Sequence, residues 1–193
     1  MTTTAAGGAA ALPAEGQVDE RAAATVAPAE FRRAMAEFAT GVTVVTGLDD
    51  AEPMGFACQS FASVSLQPPL VMFCADQRGR SWPRIRRGGR FCVHVLGEDQ
   101  TALCERFGSG YGRKFDGVEW SLSRWDTPVL PGVLMRVHAD VQQVHAAGDH
   151  DLVVGQVLQV ERITGRRPMI FFRGGFGIGA ELPGEAGDTS SRE

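Results

Sequence analysis

The segment from Pro53 to Leu70, which reads PMGFACQSFASVSLQPPL, has the highest density of residues suited to ligand binding. A strand that contains glycine leads into small hydroxyl residues, and a Pro-Pro pair opens the next strand. Small side chains let a planar ligand approach the backbone, and hydroxyls with free N–H groups can bond its polar edge or its phosphate. An edge strand with a Ser-rich turn would give the same pattern, so the segment alone leaves both interpretations open.

Basic residues follow where an anion could bind. Ser81 precedes a predicted helix over 82–87, so an anion could lie at the start of that helix. Arg113 and Lys114 supply the positive charge that a phosphate requires. The stretch 78–90 carries six arginines, which suit a solvated helix face and the attraction of phosphates equally well.

The histidines and cysteines lack the spacing of a metal site. His94, His138, His145 and His150 form no H-E-x-x-H pattern, and Cys58, Cys74, Cys92 and Cys104 form no CxxC pattern. We therefore expect no metal, reduced and partly buried thiols, and a cytoplasmic protein. His94 and His138 resemble ordinary sheet residues. The glycine-rich runs 108–112 and 175–179 do not fit the dinucleotide-binding fingerprint and are predicted to be mobile loops.

The predicted secondary structure is mainly β. A helix that begins at Pro28 and ends at Gly41 precedes strands over 42–46, 55–61, 70–75, 91–96, 133–144, 151–160 and 169–173, with short helices over 82–87 and 99–107. Residues 133–144 alternate between apolar and polar, which predicts one buried face and one solvated face. Because full-length helices do not separate most strands, we expect a closed antiparallel barrel with a few flanking helices rather than a parallel sheet.

Composition sets the broad class of the protein. The chain has 193 residues, 44% hydrophobic and 22% charged, which is typical of one globular domain. A net charge of −4 argues against binding to nucleic acid or to an anionic membrane, and no apolar run approaches the roughly 18 residues that span a bilayer. We expect disordered tails over 1–27 and 181–193 and a folded domain over 28–180.

Four segments together resemble a known family. FRRAMAEFATGVTVVT, GFACQSFASVSLQPPL, RSWPRIRRGGRFCVHVL and GDHDLVVGQV occur in one order between about residues 31 and 176. This order is similar to that of the flavin reductase-like family, the short-chain NAD(P)H:flavin oxidoreductases that serve as reductase components of two-component flavin-dependent monooxygenases. The resemblance implies an FMN-binding split β-barrel of antiparallel, Greek-key type, usually a homodimer. It also implies FAD or FMN, NADH or NADPH, and a partner monooxygenase that receives the reduced flavin.

The resemblance also implies roles for individual residues. Flavin contacts fall on Phe56, Ala57, Cys58, Gln59, Ser60, Ser63, Val64, Ser65, Arg80, Ser81 and Trp82, and a phosphate contact on Arg113, Lys114 and Phe115. His150 would hold the nicotinamide, although a structural imidazole is the alternative for an isolated histidine. Hydride transfer between cofactors requires no nucleophile or general base from the chain, so no catalytic residue is predicted.

This chain departs from many relatives at several of these positions. It carries Gln59 in place of Asn, Ala57-Cys58 in place of Thr-Ala, and Phe176 in place of Tyr. Such changes could loosen flavin binding or alter the preference between FAD and FMN. Two alternative functions stay open: a non-catalytic flavin- or haem-binding split barrel, and an oxidoreductase with tightly bound FMN and its own organic substrate.

Overall fold

The computed structural model describes residues 26–110, 112–163 and 165–176. Contacts divide the chain into two compact units, residues 1–35 and residues 36–193. The described part of the first unit holds helix α1 (Pro28–Met35), with Glu30 in its first turn. Residues 1–25 of the predicted N-terminal tail and all of the predicted C-terminal tail, 181–193, lie outside the described residues.

The second unit consists mainly of antiparallel strands. In chain order its elements are β1 (Thr40–Gly41), β2 (Thr43–Asp49), β3 (Glu52–Cys58), β4 (Ala62–Leu66), β5 (Pro69–Asp76), α2 (Trp82–Gly88), β6 (Arg90–Val95), α3 (Thr101–Gly108), β7 (Ser121–Leu122), β8 (Pro128–Val129), β9 (Met135–Ala147), β10 (His150–Arg162), β11 (Ile170–Phe172) and β12 (Gly175–Phe176). The main sheet has the order β3-β2-β6-β9-β10-β5-β4, and two small sheets pair β1-β11-β12 and β7-β8. Within the described residues, no helix is long and apolar enough to cross a membrane.

Side-chain hydrogen bonds link the end of β3 to β5, two strands that are not neighbours in the main sheet. Ser60, just after β3, accepts a hydrogen bond from the Cys74 amide at 2.8 Å and donates one to the Cys74 carbonyl at 3.3 Å. The Cys58 sulfur lies 3.8 Å from the same carbonyl oxygen. A hydroxyl and a thiol therefore take the place of a backbone ladder between these strands, as expected of a split barrel. The predicted fold class, a mainly β antiparallel barrel with few helices, is confirmed.

Aromatic rings fill the barrel interior. Phe73 is fully buried, and its ring lies edge-on to Phe91 at 5.1 Å and to Trp82 at 5.6 Å between centroids. A Cβ at Gly155 would lie 2.4 Å from a carbon of the Phe91 ring. Glycine at this position of β10 therefore lets the ring pack directly against the backbone.

The prediction that the first helix extends to Gly41 is wrong, because α1 ends at Met35. The backbone that follows is used in sheet and turn contacts of the second unit. The Arg173 amide donates to the Ala36 carbonyl at 3.1 Å, and the Arg173 guanidinium binds Glu37 at 2.6 Å. Thr40 and Gly41 then pair with β11. Tertiary pairing thus overrides the helical spacing of the apolar residues.

The predicted solvated face of β9 is wrong at Arg136 and His138, while Asp140 and Gln142 are partly or fully exposed as predicted. His138 is fully buried, and the side chain of Arg136 is only 19% exposed. The segment 127–130 covers this face: Thr127 Oγ1 lies 2.8 Å from His138 Nδ1, and Arg136 donates to the Leu130 carbonyl at 2.7 Å. The sheet is therefore buried on both sides at this point.

The glycine-rich run 175–179 is in part a strand rather than a loop. Gly175 and Phe176 form β12, and Phe176 pairs with Phe171 of β11. Their rings lie 5.4 Å apart, which adds an aromatic contact to the pairing. The predicted loop residues 177–179 lie outside the described residues.

Candidate functional site

An open cleft of about 1320 Å³ lies beside β3. Its walls are β3 with the two residues that follow, the turn that leads into α2, and the segment from the end of α3 to Asp116. His150 and Phe176 also line it. A pocket for one small ligand usually has roughly 300–1,000 Å³, so this cleft is large enough for more than one such ligand.

Gly55 gives the β3 wall its shape. A Cβ there would lie 2.6 Å from the Phe107 ring, so glycine allows α3 to pack directly on the strand. The Gly55 carbonyl accepts a hydrogen bond from the Ser81 hydroxyl at 2.8 Å. Ser81 therefore anchors the turn before α2 to β3, and its side chain does not cap the helix. Phe56 and Ala57 continue the wall with a ring and a small side chain.

Cationic side chains meet at one part of the cleft. Arg80 donates to the Gly110 carbonyl at 2.5 Å, and Lys114 donates to the Phe107 carbonyl at 2.7 Å. Burial, and then the nearby Arg80, lower the pKa of Lys114. In the part of the chain that the structure describes, neither these two residues nor Arg113 forms an ion pair with a carboxylate. A bound anion such as a phosphate would offset the cost of bringing these charges together.

Most of the arginines in 78–90 are paired with carboxylates of this chain. Five of the six form ion pairs: Arg78–Asp76, Arg84–Asp49, Arg86–Asp151, Arg87–Asp49 and Arg90–Asp140. The Asp49 carboxylate is buried, and its bonds to Arg84 and Arg87 hold α2 against the end of β2. Arg80 is the exception. This favours a solvated, ion-paired face for the stretch as a whole and an anion-binding role for Arg80 alone.

His150 is held by its neighbours in the turn at the start of β10. Its Nδ1 lies 2.7 Å from the Asp149 carboxylate, and its carbonyl accepts from the Gln77 side chain at 3.2 Å. An ionised carboxylate only accepts hydrogen bonds, so Nδ1 carries the proton and donates. This bond holds the pKa of Asp149 below its ordinary value. The imidazole is 41% exposed and lines the cleft.

Asp151 is a site-building residue that sequence reasoning missed. Its buried carboxylate accepts from the Trp82 indole at 2.8 Å, from Gln77 at 2.9 Å and from Arg86 at 3.3 Å. The hydrogen bonds from Trp82 and Gln77 hold its pKa below the ordinary value. One carboxylate thus ties the start of α2 to the strand that carries His150. A charged residue at the head of the apolar run LVV was the only signal in the sequence.

Most of the predicted site residues line this one cleft: Phe56, Ala57, Cys58, Gln59, Ser60, Arg80, Ser81, Trp82, Arg113, Lys114, Phe115, His150 and Phe176. The structure does not bring Ser63, Val64 and Ser65 into it. They belong to β4, at the edge of the main sheet, where the ladder to β5 is irregular between Ser63 and Ser65. Lining residues that the sequence analysis did not assign include Glu52, Met54, Asp76, Arg78, Glu105 and Gly108–Gly110.

The thiols and the metal-binding residue types form no separate centre. All four cysteines are free, and burial raises the pKa of Cys58, Cys92 and Cys104. No group of three or more His, Cys, Asp or Glu side chains among the described residues has the arrangement of a metal site.

Known proteins are similar to this chain in sequence and in fold. Residues 35–180 match the model of the flavin reductase like domain. The reductase subunit of a flavin-dependent monooxygenase from Rhodococcus jostii is 46% identical over 153 residues, which cover 79% of this chain and 78% of the relative. The structure of nitrilotriacetate monooxygenase component B from Mycobacterium thermoresistibile has 43% identity and a TM-score of 0.73, with 76% of this chain and 83% of that chain covered.

A third relative was solved with ligand fragments. The NADH:FAD oxidoreductase of Streptomyces globisporus, in complex with NAD and FAD fragments, is 32% identical with a TM-score of 0.75. The match covers 79% of this chain and 93% of that protein. The family match spans the whole cleft, from β3 to Phe176. This protein therefore belongs to the flavin reductase-like family.

Proposed function

We propose that this protein is an NADH-dependent flavin reductase, which reduces FAD or FMN by hydride transfer and releases the reduced flavin to a partner monooxygenase. The observation that carries the proposal is the cleft itself. It combines a wall with small side chains, a group of cations that pair with no carboxylate among the described residues, and a histidine whose Nε2 bonds to no described group.

The residues present fit a flavin. The β3 wall offers the small side chain of Ala57 to a planar ring, and the largely buried Trp82 also lines the cleft. Arg80, Arg113 and Lys114 would take the phosphate at the cationic part of the cleft. The hydride transfer is chemistry that the two cofactors supply. The task of the chain is to hold the two rings against each other and to order the groups around them.

His150 is the residue that we assign to NADH. Its Nδ1 is bonded to Asp149, so its Nε2 is the nitrogen left for a ligand. In the neutral imidazole this atom is an acceptor, which suits the N–H groups of the nicotinamide carboxamide. The volume of the cleft, about 1320 Å³, is enough for a flavin and a nicotinamide together.

The proposal also includes a partner monooxygenase, a homodimer and a cytoplasmic location. An open cleft suits a flavin that enters and leaves, and the relative from Rhodococcus jostii is itself the reductase subunit of a monooxygenase. A homodimer would cover the apolar edge strand β4, on which Val64 is 50% and Leu66 is 89% exposed. Four free thiols favour the reducing cytoplasm.

The test is NADH oxidation by the purified protein, followed by loss of nicotinamide absorbance without flavin, with FAD and with FMN. Turnover that depends on added flavin is expected, and the better flavin defines the preference. Turnover by a yellow protein without added flavin would instead identify a tightly bound prosthetic group. Absence of turnover with either flavin and with NADH or NADPH would refute the proposal and favour a non-catalytic binding protein.

A further inference from the structure

Two turns interlock at the end of the cleft where His150 lies. The pairing of β10 with β5 ends at His150 opposite Asp76. Gln77, the next residue, donates its amide to the Asp149 carbonyl at 3.1 Å and its side chain to the His150 carbonyl at 3.2 Å. Two hydrogen bonds from Gln77 therefore fix the backbone at His150, independently of the contacts of its side chain.

The side chains of the same turns form a continuous chain of charges. Asp149 uses one carboxylate oxygen for His150 Nδ1, at 2.7 Å, and the other faces the Arg78 guanidinium at 3.7 Å. Arg78 in turn binds Asp76 through its Nε at 3.3 Å, and its amide donates to the same carboxylate at 2.8 Å. The order Asp76–Arg78–Asp149–His150 leads from the end of β5 to the imidazole ring.

These linked charged side chains determine which ring nitrogen of His150 carries the proton and which one is presented to the cleft. The bond to Asp149 keeps the proton on Nδ1, so the neutral ring presents Nε2 as an acceptor. None of the described groups bonds to Nε2. We infer that Asp149, supported by Arg78, is a positioning residue that orients His150 and sets its tautomer for a carboxamide N–H of the nicotinamide. The inference rests on the proposed function.

Stability does not account for this arrangement. The Arg78 and Asp149 side chains are 77% and 68% exposed, and ion pairs this exposed contribute little to folding. The other carboxylate next to the ring in sequence, Asp151, is already bonded to Trp82, Gln77 and Arg86. Asp149 is thus the carboxylate whose removal changes the imidazole without removing a structural anchor.

In Asp149→Asn, the direction of the change in the KM for NADH shows whether Asp149 positions His150 or only repels the anionic dinucleotide. The substitution removes a negative charge next to His150, beside a cleft that would bind an anionic dinucleotide, so the field alone would lower the KM for NADH. Loss of the fixed tautomer should instead raise that KM roughly three- to tenfold, while the KM for flavin and the kcat at saturating NADH stay near the wild-type values.

A spectroscopic measurement tests the same point without turnover. In the wild type, ¹⁵N correlation spectra of the His150 ring should show the proton on Nδ1. An asparagine can accept from or donate to that nitrogen, so the spectrum of Asp149→Asn should show a mixture of tautomers. Arg78→Gln should move the spectrum and the KM in the same direction by a smaller amount.

Glu98→Gln and Arg167→Gln are the matched controls, because they break an exposed ion pair of 3.0 Å whose residues do not line the cleft. Both should leave the KM for NADH unchanged. An Asp149→Asn enzyme with an unchanged or lower KM, or with Nδ1 still fully protonated, would overturn the inference. A wild-type protein that fails to oxidise NADH with any flavin would refute the proposed function instead, and the ring spectra would still report on Asp149.

Discussion

Two histidines of this protein, His94 and His150, lie in opposite environments. His94 on β6 is fully buried: its Nδ1 lies 3.1 Å from the Val44 carbonyl and its Nε2 accepts from the Leu130 amide at 3.2 Å. Both ring nitrogens are occupied, and burial lowers the pKa of the ring to about 3. His150, on the cleft, is partly exposed, and Asp149 is its one side-chain partner among the residues that the structure describes.

The same contrast separates the two regions that surround these histidines. Under the segment 127–130, most polar groups bond within the fold and are shielded from ligands: Thr127 contacts His138, and Arg136 binds both Leu130 and Glu161. The two buried atoms there that lack a hydrogen bond, Arg136 Nε and His138 Nε2, have no access to the surface. In the cleft, the bonds of Arg80 and Lys114 to described residues go to carbonyls, so their charges stay unpaired within the described part of the chain. The bonding capacity that stays accessible after folding, rather than the residue type, therefore distinguishes the binding site from the structural region.

The largest expected effect is on the buried side. His94→Leu removes the side-chain bonds to the Val44 carbonyl and the Leu130 amide and leaves the buried Leu130 amide without its His94 partner, so the free energy of unfolding should fall by about 3 kcal/mol. Urea denaturation followed by circular dichroism measures this. His145→Leu, at an exposed histidine of β9, is the control and should change little. A loss below about 1 kcal/mol for His94→Leu would mean that the two bonds matter less than their burial indicates.

The next effect is on the cleft side and concerns charge. Lys114→Gln can keep the contact with the Phe107 carbonyl but loses the cation, so the KM for FMN should rise roughly 10- to 100-fold. Riboflavin has no phosphate, and its KM should stay near the wild-type value. Arg167→Gln removes a positive charge outside the cleft and serves as the control. Equal increases for FMN and riboflavin would place Lys114 at the ring rather than at the phosphate.

Local patterns were sufficient to predict most of the barrel. The β-branched run within β2 and the alternation along β9 are properties of the strands themselves. The burial of His138 was not predictable in this way, because its cover comes from 127–130, a segment without periodicity of its own. The end of α1 was missed for a similar reason, since contacts of Ala36 and Glu37 with Arg173 lie far apart in sequence.

The site was predictable where a residue acts alone and less so where it acts through another. His150 and Lys114 could be located from the resemblance, and both line the cleft. Asp151 acts through Trp82, which lies 69 residues away, and no local pattern joins the two. Ser63 to Ser65 stay a prediction, because a composition rich in small hydroxyls does not specify whether a segment faces the cleft or forms the sheet edge.

Acid should lower the free energy of unfolding through the buried histidines. The unfolded chain protonates His94 near the ordinary value of 6.5, whereas the folded protein keeps it neutral down to a pKa of about 3. Unfolding therefore takes up a proton in this window, and stability present above pH 6.5 is lost as the pH falls toward 3, at up to about 1.4 kcal/mol per pH unit. Burial also lowers the pKa of His138, which adds to the loss. Urea denaturation of His94→Leu from pH 7 to 5 should show a smaller slope, and an equal slope would contradict this assignment.

The smallest expected change in stability, and a selective change in function, belongs to His150→Ala. The ring is 41% exposed and bonds, within the described part of the chain, to the Asp149 side chain alone, so the free energy of unfolding should change by less than about 0.5 kcal/mol. The apparent KM for NADH should rise about tenfold, while flavin affinity stays unchanged. His145→Ala is the matched control, because that exposed histidine does not line the cleft. Unchanged nicotinamide kinetics in His150→Ala would remove His150 from the dinucleotide site, and a large loss of stability would place it with His94 as a structural histidine.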